Sequence, residues 1–151
     1  MSRSEVLSRI VLGLLEPLER RAPFAVETGA PRSADPVWQI GHAAFDAERA
    51  LVIPPVPQER AQAGPGEDFH GRNSAKPWAS TPPQFSEVEA WWKLILKAGE
   101  ATLSHYPMST PLPEPVEFTT YTVHTLEEAF DYVLYHTSFH LGRAWEIARI
   151  P

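Results

Sequence analysis

Proline decides where helices can form in this chain. Its ring fixes φ, removes a backbone donor and clashes with the preceding turn, so helix interiors exclude it. The 16 prolines gather in three regions, and the stretches between them carry apolar residues at helical spacing. The first stretch runs from about Ser4 to Arg20. Val6, Leu7, Ile10, Val11, Leu14, Leu15 and Leu18 form one stripe there, with Ser4 as the expected cap and Pro17 placed to bend the last turn. A second stretch opens at Ser33-Ala34-Asp35-Pro36, a capping carboxylate followed by proline at the first helical position. It ends before Pro54-Pro55, with Trp38, Gly41, His42, Phe45 and Arg49 on one side. The third opens at Thr81-Pro82-Pro83 and runs through Val88, Trp91, Trp92, Ile95 and Leu103 to Tyr106, where Pro107 closes it. The fourth begins near Thr125, whose hydroxyl caps with Glu128 as its capping-box partner, and continues past Ile147.

Four amphipathic helices predict an all-α chain. The expected architecture is a four-helix bundle, a single domain over residues 1–151. The segment Phe118-Thr119-Thr120-Tyr121-Thr122-Val123 is β-prone but short, and reads as an extended lead-in to the last helix. Long Pro-rich connections are expected between helices two and three and between helices three and four. The link from Pro54 to Pro83 far exceeds the roughly 2–8 residues that usually join bundle helices. It carries Phe69, His70 and Trp78, and the link from Pro107 to Phe118 carries Pro111, Pro113 and Pro115. The pair reads either as loops roofing the mouth of a site or as surface spacer.

Composition narrows the functional classes. There is no cysteine, which removes disulfides, thiolate ligands and a protein-borne thiol nucleophile together. A net charge of -6 without a basic stripe argues against DNA or RNA as a partner. No segment approaches the roughly 18 apolar residues of a membrane span. The run Ile10-Val11-Leu12-Gly13-Leu14-Leu15 is followed by Glu16, Glu19, Arg20 and Arg21, with no small-residue cleavage site. A cytoplasmic protein without membrane attachment is therefore expected. Phosphate-binding glycine loops, a Gly-x-Ser-x-Gly elbow and a His-Glu-x-x-His motif are all missing.

Three of the six histidines stand apart. His136 and His140 lie one turn apart on the apolar side of the fourth helix, and His42 sits in the apolar stripe of the second. Buried imidazoles need partners, and one shared metal ion would satisfy all three while leaving further coordination positions open. Otherwise they are packed or surface histidines. Asp46, one turn after His42, shares its face and reads as a supporting partner, a fourth ligand, a general base or a solvated rim carboxylate. Glu48 and Arg49 read as an exposed face with an interhelical ion pair, and Arg143 as an anion binder or a surface ion pair. Tyr132 and Tyr135 either donate into a pocket or pack at its rim. Trp91, Trp92 and Trp145 read as core and interface aromatics, and an exposed Trp91 or Trp92 face would pair two copies as a homodimer. His70, His105 and His124 receive no role.

Trp38-Gln39-Ile40-Gly41-His42 opening the second helix, with His136-x-x-x-His140-x-Gly142-Arg143 in the last, resembles the DinB-like superfamily of four-helix bundles. The resemblance extends to length, helix count and the long link after helix two. It implies that His42, His136 and His140 bind a divalent metal. Imidazole donors suit Zn, Ni and Fe alike. It also implies thiol-dependent chemistry of the S-transferase kind, in which a small-molecule thiol attacks an electrophile; on the residues themselves, Asp46 or a tyrosine is placed to steer protons. The same site would serve a hydrolase by activating water. The alternatives are a non-catalytic metal- or ligand-binding stress-response module and a structural bundle with a vestigial site.

Overall fold

The computed structural model describes residues 1–52 and 66–151. That part of the long second connection falling between them lies outside the described residues. Four helices carry most of the chain: α1 (Arg3–Glu19), α2 (Pro36–Leu51), α3 (Phe85–His105) and α4 (Leu126–Ala148). Two of the expected starts are where the sequence puts them. Asp35 caps α2 by accepting from the Val37 amide at 2.8 Å, ahead of Pro36. Thr125 caps α4 through the Glu128 amide, while the Glu128 carboxylate accepts from the His124 amide at 2.7 Å.

The other two starts move. Ser2, not Ser4, caps α1: its hydroxyl accepts from the Glu5 amide, and the Glu5 carboxylate accepts from the Ser2 amide. Only Ser2 has a glutamate three residues on, which is what a reciprocal box requires. Helix α3 begins after Thr81-Pro82-Pro83, at Phe85, because residues preceding proline are driven out of the helical region. Pro17 lies inside α1, which continues to Glu19.

Helix α2 is the centre. It packs against α4 on one side and α3 on another, while α1 closes the far side against α3 and α4. Alanines 43, 44, 47 and 50 keep α2 thin enough for both neighbours to approach, and all four are buried. Helix α1 contributes Leu7, Val11, Leu15 and Leu18, all buried. Each such side chain is worth roughly 1.5–3 kcal/mol of burial. Trp91 and Trp92 are 1% and 0% exposed, so they form core and present no face for pairing two copies. Trp92 also donates its indole N–H to the Ile40 carbonyl at 3.1 Å, tying α3 to α2.

The chain is mostly helical but not a pure helix bundle. An antiparallel pair, β1 (Pro111–Glu117) and β2 (Thr122–Thr125), precedes α4, with Val116 opposite Val123 and Glu117 opposite Thr122. The β-prone segment is thus the turn and second strand of a hairpin rather than a lone lead-in. Pro111, Pro113 and Pro115 withhold alternate donors, which only an edge strand tolerates. Leu112 and Val123 bury themselves against the helices, and the tip, Phe118 to Tyr121, is brought beside Tyr132 of α4.

Replacing Trp92 with alanine should lower unfolding stability by about 3–5 kcal/mol, the usual cost of emptying a buried aromatic site. Urea titration checks this.

Candidate metal centre

A polar stripe runs along the otherwise apolar α2. Gln39, His42, Asp46 and Arg49 are spaced three, four and three residues apart, so they share one face. Tyr132, His136 and His140 form the facing stripe on α4. Where the stripes meet, His42, His136 and His140 each offer a ligand atom, and these atoms lie within 4.8 Å of one another. No other group of three or more potential ligands gathers this way among the described residues.

Hydrogen bonding fixes the tautomer of two of the rings. His42 Nδ1 lies 2.9 Å from the Phe69 carbonyl oxygen, which can only accept, so Nδ1 carries a proton and Nε2 is the nitrogen left to offer a lone pair to a metal. His140 Nδ1 lies 2.6 Å from Gln39 Oε1. The amide orientation follows from its other end, where Gln39 Nε2 donates to the Ser33 carbonyl at 2.7 Å. His140 therefore also donates from Nδ1 and keeps Nε2 free. Outer partners of this kind are what metal-ligating imidazoles ordinarily have. Trp38 stacks on the His42 ring, with centroids 4.8 Å apart, and Tyr132 stacks on His136 at 5.0 Å.

Burial holds His136 far below the usual histidine value, to about 3, reinforced by His140 and His42 beside it. His140 falls to about 3 for the same reason, with His42 as the second cause. Both are neutral at physiological pH, the form a metal requires.

Asp46 is 6% exposed and faces the same point. Its Oδ2 lies 3.4 Å from His136 Nε2 and 3.7 Å from His42 Nε2. Burial raises its pKa, opposed by His42 and Arg49 and by hydrogen bonds. Arg49 donates to Oδ1 at 3.3 Å and Tyr132 donates to Oδ2 at 3.3 Å. The Tyr132 hydroxyl is in turn made less acidic, first by burial and then by Asp46.

These groups open into a cavity of about 340 Å³. Its walls are Arg49 and Tyr132, the hairpin tip from Glu117 to Thr120, and His70, Gly71 and Arg72 from the second connection. Both Pro-rich connections thus contribute to the mouth. The volume falls within the roughly 300–1,000 Å³ range of small-molecule pockets. A larger cavity of about 660 Å³, between the end of α1 and the starts of α2 and α3, lies away from the histidines.

The remaining expectations divide. Asp46 is not a solvated rim carboxylate. Arg49 is exposed, as expected, but its ion pair is with Asp46 on its own helix rather than across helices, and it donates to the Glu117 carbonyl at 2.9 Å. Glu48 accepts from the Trp91 indole of α3 at 2.9 Å. Tyr132 points inward, whereas Tyr135 is 72% exposed. Arg143 pairs with Glu146 on the surface at 2.5 Å. His70, assigned no role, lines the cavity. Gln39, Phe69 and Arg49 acquire roles that the sequence reading did not give them. Only the three-four-three spacing from Gln39 to Arg49 could have signalled part of this. No helix among the described residues is long and apolar enough to cross a membrane.

No family model, curated protein or solved structure matches the chain.

The lowered imidazole values carry a sign. Above pH 6.5 folded and unfolded chains both hold these rings neutral, whereas below it the unfolded chain takes up protons that folded His136 refuses until about pH 3. Metal-free protein should therefore lose stability as pH falls through that window. His136→Gln should flatten the loss between pH 7 and 4, as read by urea titrations at each pH. An identical slope in the variant would contradict this assignment.

Proposed function

We propose that this chain is a divalent-metal enzyme of the DinB-like kind. It activates a small-molecule thiol for transfer to an electrophile (S-transferase type) or water for hydrolysis. The observation that carries this reading is the convergence of three imidazoles, two with Nδ1 hydrogen-bonded so that Nε2 faces inward, on a cavity that also holds a braced carboxylate. His42, His136 and His140 would hold the ion, with Zn, Ni or Fe equally suited to imidazole donors. When bound, such an ion keeps its double charge and makes a thiol or water acidic near neutral pH.

The chain's own groups supply the rest. Asp46 Oδ2 faces the histidine nitrogens and is the atom that takes the proton from the nucleophile. Arg49 and Tyr132 keep that carboxylate oriented, and Tyr132 provides the O–H through which the proton is shared. The hairpin tip and Arg72 wall a space large enough for a small electrophile beside these groups. The absence of cysteine fits a thiol that arrives by diffusion.

Elemental analysis of protein purified without a metal-affinity column, beside His42→Ala, tests the reading. About one equivalent of transition metal is expected in the parent and its loss in the variant, as three-ligand sites bind one ion. Asp46→Asn should keep the metal and lower thiol consumption or hydrolysis about 10²–10⁴-fold, as for loss of a general base. Metal uptake with neither activity would leave a non-catalytic binding module. A parent that takes up neither Zn nor Ni would contradict the metal centre itself.

A further inference from the structure

The segment from Gly66 to Trp78 runs across the α2 side of the cavity, and several bonds clasp it to the start of α2. Arg32 is 6% exposed, although it carries a full charge. Its guanidinium donates to the Asp68 carbonyl at 3.0 Å and to the Pro77 carbonyl at 3.3 Å, near the two ends of the segment. It also lies 4.9 Å over the Trp78 ring. Backbone bonds add to the clasp, from the Arg32 amide to the Lys76 carbonyl and from the Ser33 amide to the Ser74 carbonyl. The Trp78 indole donates to Asp35 at 3.0 Å.

Between the clasped ends, Phe69 is driven into the core at 0% exposure. The seat for its ring is Gly41, where a Cβ would stand 2.1 Å from Phe69 Cε1. That seating brings the Phe69 carbonyl to His42 Nδ1. Gly71 then backs against the His42 ring, where its own Cβ would lie 3.4 Å from His42 Cε1. Asp68, bonded through its carbonyl to Arg32, immediately precedes Phe69. The outer partner that sets the His42 tautomer thus belongs to a strap whose docking depends on Arg32.

We propose that docking of the strap from Gly66 to Trp78 and metal binding at the three histidines are coupled through the Phe69–His42 hydrogen bond, with Arg32 as the positioning residue. The inference rests on the metal reading of the site. Coupling is reciprocal: whatever the docked strap adds to metal affinity, the metal adds to strap docking. A strap that merely completed the core would show neither effect.

The test uses metal-free full-length protein, with Zn affinity from chelator competition and hydrogen exchange of residues 66–78 measured with and without Zn. Zn should slow exchange in the parent strap. Arg32→Ala should speed it and raise the Zn Kd about 10–100-fold, the usual effect of losing an outer-shell partner, with the helical circular dichroism retained. Trp78→Phe removes the bond to Asp35 and trims the ring beneath Arg32 while keeping an aromatic there, and should act in the same direction by a smaller factor. It carries the test if Arg32→Ala does not fold. A parent that binds Zn without any change in strap exchange would overturn the coupling alone. So would parent-like affinity in a variant whose strap exchanges faster. A parent that takes up no Zn would remove the metal reading and the coupling with it.

Discussion

Helix α2 is buried on nearly every side, so the polar groups it carries are costly without a partner, and apart from the Trp38 indole N–H its buried polar side chains find one. An unmatched buried donor or acceptor costs about 1–3 kcal/mol, a large fraction of what holds a domain of this size together. Gln39, His42 and Asp46 are all buried, and each is matched by a hydrogen-bond partner. Gln39 is spanned between Ser33 and His140, His42 is held by Phe69, and Asp46 by Arg49 and Tyr132. What this matching leaves over are the Nε2 lone pairs of His42 and His140, turned inward with Asp46 Oδ2 near them. The chemistry of the site is the remainder of a buried polar stripe that is otherwise fully used.

The same helix divides its labour by face. Its small residues let α3 and α4 come close, and Gly41 admits an aromatic ring where any side chain would collide. Trp91 and Trp92 fill the volume that the alanines leave, and their indoles bond back to Glu48 and Ile40. Packing on these faces holds the polar face in register with α4, so that one turn of each helix brings the histidines together. Rigid elements carry all three candidate ligands, and the less regular segments carry the walls of the cavity, a division common to functional sites.

Much of this was legible from residue type and spacing. Proline placed the helices, and Asp35-Pro36 and Thr125 with Glu128 marked two starts to the residue. The one-turn spacing of His136 and His140, the apolar surroundings of His42 and the position of Asp46 foretold which side chains would meet. The hairpin was not legible, because three prolines in β1 strip it of the donors by which a strand is usually recognised. Trp91 and Trp92 are core aromatics, as expected, but the exposed face that would pair two copies is not there, because helical spacing alone leaves two adjacent tryptophans on neighbouring sides and α2 covers both. The partner of His42 could not be read at all: it is a backbone carbonyl, which every residue has. Gln39 and Arg32 look like ordinary helix and loop residues until the fold brings distant carbonyls to them.

X-ray absorption at the zinc edge of Zn-loaded protein tests the central claim most directly, since it reads the donor atoms themselves. A first shell with three imidazole nitrogens at about 2.0–2.1 Å is the expected result. It should lose one nitrogen scatterer in His140→Ala. A shell of oxygen donors without imidazole scattering would contradict the convergence of His42, His136 and His140 on one ion.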